Sequence, residues 1–190
     1  MTLDHEGNVS LPQPGMPSRL QDPLLIGQPT LVPCPTAESG SVEILDTLAF
    51  LMGTWNLDRS IEDHRSGIGG SFAGKAALVK VEPNQRSVLG ERARYDEEGE
   101  LRFGTHVGPA SRRLGYRQLN SGAAMLHFAD GRPFADLDLR SGAWRSVHSC
   151  GDDRYEITTI VRSCRVVQEN WRVRGPSKAY EAATTLVRVD

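Results

Sequence analysis

The chain has 190 residues, 38% of them hydrophobic, which fills one core of ordinary size but not two, so a single domain with an appendage is expected. Its formal charge is -2, from 22 basic and 24 acidic residues spread along the chain, and the missing basic surplus excludes nucleic acid as a partner. No apolar run approaches the ~20 residues of a membrane span, and Met1 to Ser10 has neither the basic start nor the apolar stretch of a signal peptide, so a cytoplasmic protein without a membrane partner is expected.

Seven of the 11 prolines fall in the first 35 residues (Pro12, Pro14, Pro17, Pro23, Pro29, Pro33 and Pro35), where missing N–H groups rule out a long helix or an internal strand. Residues 1–40 therefore read as an extended arm. It carries more apolar side chains than a solvated tail needs, among them Leu3, Leu11, Leu20, Leu24, Leu25 and Ile26. Between Ser41 and Met52, Val42, Leu45, Leu48, Ala49 and Met52 recur at helical spacing, predicting one short helix capped by Ser39 or Ser41.

After Gly53 the pattern changes to short segments rich in Val, Thr, Tyr and Trp, separated by turn residues. Turns are expected at Pro83-Asn84, Glu98-Gly99, Gly108-Pro109, Asn120 to Gly122, Asp130-Gly131, Ser141-Gly142, Gly151 to Asp153 and Gly175-Pro176. So many hairpins without a second helix describe an antiparallel meander. Closing it removes its two edges, which predicts an all-β, up-and-down barrel over residues 41–190; a β-sandwich is the alternative. The three cysteines, Cys34, Cys150 and Cys164, are an odd and scattered set that points to reduced thiols.

Gly53-Thr54-Trp55, at the end of the predicted helix, resembles the G-x-W start of lipocalins and other calycins. The resemblance implies that Trp55 closes the barrel base against an Arg near the chain's end, and Arg188 is placed for that role. Further segments resemble an uncharacterised bacterial family of calycin-like domains: Leu51 to Asp63, Asp130 to Leu139, His148-x-Cys150-x-x-Asp153-x-Tyr155, and Gly175-Pro176-x-Lys178-x-Tyr180. One departure is Ala135, where that family would have a His after Phe134. A small calycin-like barrel with an N-terminal extension is also similar to the cofactor-free, pyrroindomycin-type cyclases that form spirotetramates and spirotetronates. That likeness implies an arm acting as a lid over an apolar polyketide-tetramate substrate.

Alternate side chains of a strand face the lumen, so large apolar residues mark the face on which a ligand's polar contacts also lie. This places Leu89, Glu91 and Tyr95 inward on one strand; Leu114, Tyr116 and Gln118 on the next; Met125 and His127 on a third; and Trp144 and His148 on a fourth. Tyr116, Gln118 and His127 are the candidate catalytic donors, and the others the candidate substrate contacts. Each also has a structural reading: Glu91 as an ion-pair partner of a barrel arginine, His127 and His148 as packed histidines. No metal is expected, because His148 and Cys150 lack a second ligand pair. Gly67 to Gly70 reads as a hairpin loop, lacking the P-loop lysine and serine, and no G-x-S-x-G elbow or activated nucleophile appears.

Such a site, without cofactor or nucleophile, suits a reaction limited by shape and entropy. The expected function is an intramolecular (4+2) cycloaddition of Diels-Alder type, with a hydrogen bond to a tetramate carbonyl stabilising the transition state. The alternative is a non-catalytic small-molecule carrier with the same barrel. A further reading of the arm is a strap between two subunits of a homodimer.

Overall fold

The computed structural model describes residues 2–3, 9–10, 44–81, 92–119 and 122–189. Within them lie two very short strands, β1 (Thr2–Leu3) and β2 (Val9–Ser10), a single-turn helix α1 (Thr47–Leu51), and ten barrel strands. These are β3 (Gly53–Asp63), β4 (Ile68–Lys80), β5 (Ala93–Phe103), β6 (His106–Gln118), β7 (Ala123–Phe128), β8 (Pro133–Asp138), β9 (Ala143–Cys150), β10 (Asp153–Ser163), β11 (Val166–Arg174) and β12 (Ala179–Arg188). β1 and β2 pair with each other, and β2 lies beside β6.

The ten strands form one antiparallel sheet in the order β8-β7-β6-β5-β4-β3-β12-β11-β10-β9. β12 pairs with β3, so last strand meets first. Each other neighbouring pair is a hairpin or a sequential connection, as an up-and-down barrel requires. The two edge strands, β8 and β9, lie alongside each other but share no ladder. A side-chain hydrogen bond from Ser146 on β9 to Asp136 on β8 crosses this seam. Strand alternation packs Trp55, Leu57, Phe72, Leu101, Val167 and Val173 almost wholly out of water inside the barrel. Among the described residues no helix is long and apolar enough to cross a membrane.

The base of the barrel is closed by α1 and the first and last strands. Gly53 has a φ of +112°, a conformation that side-chain-bearing residues rarely adopt. A Cβ there would also lie 3.3 Å from Arg188 Nη1. The Arg188 guanidinium stacks on Trp55, 4.1 Å from the ring centroid. It donates hydrogen bonds to the carbonyl oxygens of Met52 (2.7 Å), Cys164 (3.2 Å) and Phe50, while Trp55 Nε1 donates to Leu51 O (2.9 Å). One cation thus ties the C-terminal carbonyls of α1 to the β10–β11 turn. Thr47 is fully buried, donating its hydroxyl to Gly122 O and accepting from Leu139 N (3.0 Å), which pins the helix to two further turns.

The structure corrects four expectations. The helix begins at Thr47 rather than near Ser41, and its cap is Asp46, whose carboxylate accepts from Ala49 N at 3.0 Å. Glu98-Gly99 is no turn: β5 runs through it, because Gly99 faces Gly74 on β4 where the backbones approach so closely that a Cβ on Gly74 would lie 2.2 Å from Glu98 O. Gly108-Pro109 is likewise within β6; Pro109 is tolerated there because β7 pairs with β6 only from Leu114 onward. Finally, Cys164 is disulfide-bonded while Cys150 is a free, exposed thiol, since an odd count does not prevent one pair from forming. The expected turn at Pro83-Asn84 lies outside the described residues.

Replacing Arg188 with Met keeps the stem over Trp55 but leaves three carbonyl oxygens without their donor. The expected result is a loss of about 2–4 kcal/mol in urea unfolding, at about 1 kcal/mol or more per orphaned acceptor. A change within about 0.5 kcal/mol would show that the base does not depend on this cation.

Candidate functional site

The mouth half of the barrel, at the end holding the β3–β4 and β5–β6 turns, is filled with rings. Phe134 packs on Phe128 (4.8 Å between centroids), His148 (5.3 Å) and Trp171 (5.4 Å), and His148 also lies against Tyr155. A bulge in the β7–β8 ladder explains the density: Leu126 pairs with Ala135 but His127 with Pro133, so Phe134 is an extra residue that turns inward beside Ala135. Below these rings, towards α1, lies a cavity of about 50 Å³. Its apolar walls include Leu51, Trp55, Leu78, Leu114, Leu126 and Leu186.

Across the top of this cavity runs a charged belt. Glu97, on β5, has no solvent-exposed side-chain surface and accepts four hydrogen bonds. Two come from Arg59 on β3, through Nη1 (2.7 Å) and Nη2 (3.1 Å); one comes from Tyr95 OH (2.8 Å) and one from Arg112 Nη2 on β6 (2.8 Å). Arg59 Nε donates to Thr184 on β12 at 2.8 Å. Arg112 reaches across the lumen to stand 5.0 Å above the Trp171 ring, whose Nε1 donates to Glu169.

Burial works against ionising Glu97, but Arg112 and Arg59 outweigh it and hold the carboxyl at about 2. Burial likewise opposes the charge on Arg112, yet Glu97 above all keeps its pKa raised. Tyr95 and Tyr116 are pushed up by burial and remain neutral phenols. These four groups therefore keep the same protonation states around neutral pH, Glu97 as a carboxylate. What they offer is a fixed field and hydrogen-bond donors.

Two donors of this site have no partner among the described residues: Arg112 Nε and Trp144 Nε1, both buried and both on residues lining the cavity. A buried unsatisfied donor costs roughly 1–3 kcal/mol, so each calls for an explanation. His148 Nε2, among the mouth rings, likewise has no partner among the described residues.

Of the residues singled out from sequence, Tyr95, Leu114, Tyr116 and Trp144 line this cavity. Gln118 lies further along β6, opposite Ala124 and outside the lining. His148 faces inward but belongs to the mouth rings. Met125 and His127 must be corrected: Tyr116 pairs with Leu126, which turns Leu126 to the lumen and both of them to the outer face. The strand reads AAMLHF, apolar on both sides, so alternation carries no phase. His127 is nonetheless buried, and its pKa is lowered by that burial and by Arg117. Leu89, Glu91, Leu11, Leu20, Leu24, Leu25 and Ile26 lie outside the described residues, and Leu3 belongs to β1.

Arg59, Glu97, Arg112, Glu169 and Asp136 are site residues that sequence reasoning missed. The signal for two of them is present, because Glu97 follows Tyr95 by two and Arg112 precedes Leu114 by two on the same faces. Among the described residues no group of three His, Cys, Asp or Glu side chains gathers as a metal site would.

The depressed pKa of Glu97 sets a stability window. Its contribution is fully present above its ordinary value of 4.5 and is lost as pH falls from there towards about 2. Acid unfolding followed by circular dichroism should show a stability loss over that window, absent in Glu97→Gln. That variant leaves two guanidinium groups facing a neutral amide, and should cost about 3–5 kcal/mol at pH 7.

Comparison with known proteins adds a family and a fold. The S-type phycobiliprotein lyase CPES from Guillardia theta superposes with a TM-score of 0.56 at 10% identity, covering 75% of this chain and 90% of that one. A de novo designed fluorescence-activating β-barrel reaches 0.38 at 15% identity, covering 77% and 100%. A protein of unknown function from the DUF3598 family of Nostoc punctiforme reaches 0.46 at 12% identity, covering 76% and 50%. At 10% identity the likeness to the lyase concerns the fold alone. No curated protein matches the chain. The model of a family of unknown function, DUF6314, matches residues 51–188, nearly the whole barrel from α1 to the end of β12, and the chain belongs to that family.

Proposed function

We propose that this barrel binds a small molecule in the cavity between α1 and the charged belt. One observation carries the reading: a packed barrel keeps a hollow whose lining includes two buried donors that no described residue satisfies. A core selected only for stability would fill such a space or pair such donors. The protein of similar fold, named a phycobiliprotein lyase, is an enzyme, which suits a barrel that accommodates a small molecule.

Size ranks the two expected functions. Drug-sized ligands occupy pockets of roughly 300–1,000 Å³. At about 50 Å³ the cavity holds a few waters, and a single ring enters only if it widens about threefold. That favours binding of a compact molecule over folding a polyketide chain for cycloaddition. The entrance we assign to the β8–β9 seam, because Ala135, Asp136, Trp144 and Ser146, from its two strands, line the cavity and no ladder has to break there.

Titration calorimetry with one-ring compounds such as benzene, phenol and acetophenone is expected to show saturable 1:1 binding. Ala135→Phe, which projects a ring into the space, should weaken it at least tenfold while the protein still unfolds cooperatively. Equal binding by wild type and variant would remove the cavity as the site. Incubation with a linear polyene tetramate is expected to return it unchanged, whereas a new isomer of equal mass would put the cyclase first.

A further inference from the structure

The reading of the cavity as a binding site leaves open what chemistry it selects, and its lining constrains that choice. Both orphaned groups, Arg112 Nε–H and Trp144 Nε1–H, are donors without acceptor capacity, so a ligand has to bring the acceptor. Charge decides which kind. Arg59 is consumed by Glu97 and Thr184, and Arg112 shares that same carboxylate. Glu169 and Asp136 add two more carboxylates to the cavity wall. Their hydrogen bonds come from the neutral groups Trp171 Nε1 and Ser146 Oγ. The lining therefore holds no surplus of positive charge, and an anion entering it would be repelled by both carboxylates. A neutral acceptor escapes that penalty.

The walls limit shape as well. Trp55, Tyr95, Tyr116, Phe134, Trp144 and Trp171 present rings to the space, which favours a flat guest packed against aromatic faces. A benzene-sized guest fills a cavity of roughly 150 Å³, so one ring already requires the wall to yield. The seam between β8 and β9 can yield without losing a ladder hydrogen bond.

Resting on the small-molecule reading above, we propose that the ligand is a neutral, flat molecule of about one ring bearing a carbonyl-type oxygen, and that this oxygen accepts from Arg112 Nε and Trp144 Nε1. Arg112 is held in place for this by its bond to Glu97 and by the ring faces of Trp171 and Tyr95. Trp144 stands on the edge strand β9, beside the entrance assigned to the seam.

The test compares three probes on the full-length protein by calorimetry: acetophenone, which carries the carbonyl; ethylbenzene, which has the same outline without it; and benzoate, which carries a charge. Acetophenone is expected to bind about tenfold or more tighter than ethylbenzene, with benzoate weaker than acetophenone. Trp144→Phe removes the indole donor and keeps a ring, and should abolish most of that preference, read as the ratio of acetophenone to ethylbenzene affinity. Arg112→Lys, which preserves a cation for Glu97 but lacks Nε–H, should act the same way, and thermal unfolding checks that both variants fold. Ethylbenzene binding as tightly as acetophenone, or benzoate binding tightest, overturns the acceptor proposal and leaves small-molecule binding standing. Failure of all three probes overturns both.

Discussion

Two guanidinium groups inside a β-barrel are tolerable only because one carboxylate faces both. Glu97 takes Arg59 in a two-pronged grip from β3 and Arg112 from β6, and the Tyr95 hydroxyl completes its shell. Taking three charges out of water is expensive, and replacing such a cluster with apolar side chains often costs nothing or even stabilises a fold. Its presence in the middle of the lumen is therefore poorly explained by stability. What it does achieve is positional: Arg112 is carried across the barrel and fixed over Trp171, with one nitrogen left over.

The belt also divides the interior. Towards the mouth, the inward turn of Phe134 at the bulge brings four aromatic or imidazole rings into contact. Towards the base, Arg188 and Thr47 hold α1 across the barrel's end by satisfying carbonyl and amide groups from four separate turns or helix ends. Between these rigid layers the wall is weakest at β8 and β9, where a side-chain bond stands in place of a ladder. A barrel that is nearly closed rather than closed leaves one side of its wall without ladder hydrogen bonds.

Much of the architecture is legible in the residues alone. Hairpin spacing after Gly53 describes the meander, and G-x-W with a late arginine anticipates the stacking of Arg188 on Trp55. Where the reading fails, the cause is local. Gly99 reads as a turn because glycine serves both tight turns and close strand contacts, and only the facing Gly74 separates the two. His127 reads as inward because a strand apolar on both faces has no readable phase. Arg112 escapes notice because an arginine next to Arg113 looks like one more solvated charge, although its parity matches that of Leu114 and Tyr116.

By itself the sequence determined the all-β meander and the short helix before it, because these follow from periodicity and turn chemistry, while the closure of its base by Trp55 and Arg188 was what the calycin resemblance implied. Tertiary structure alone decided which charges share one lumen, where Phe134 bulges inward, and which two strands remain unladdered. Those features depend on register between strands, and register is set by the packing of the whole barrel rather than by any one segment. Arg59, Glu97 and Arg112 stand 38 and 15 residues apart in the chain and meet only when the sheet has curled.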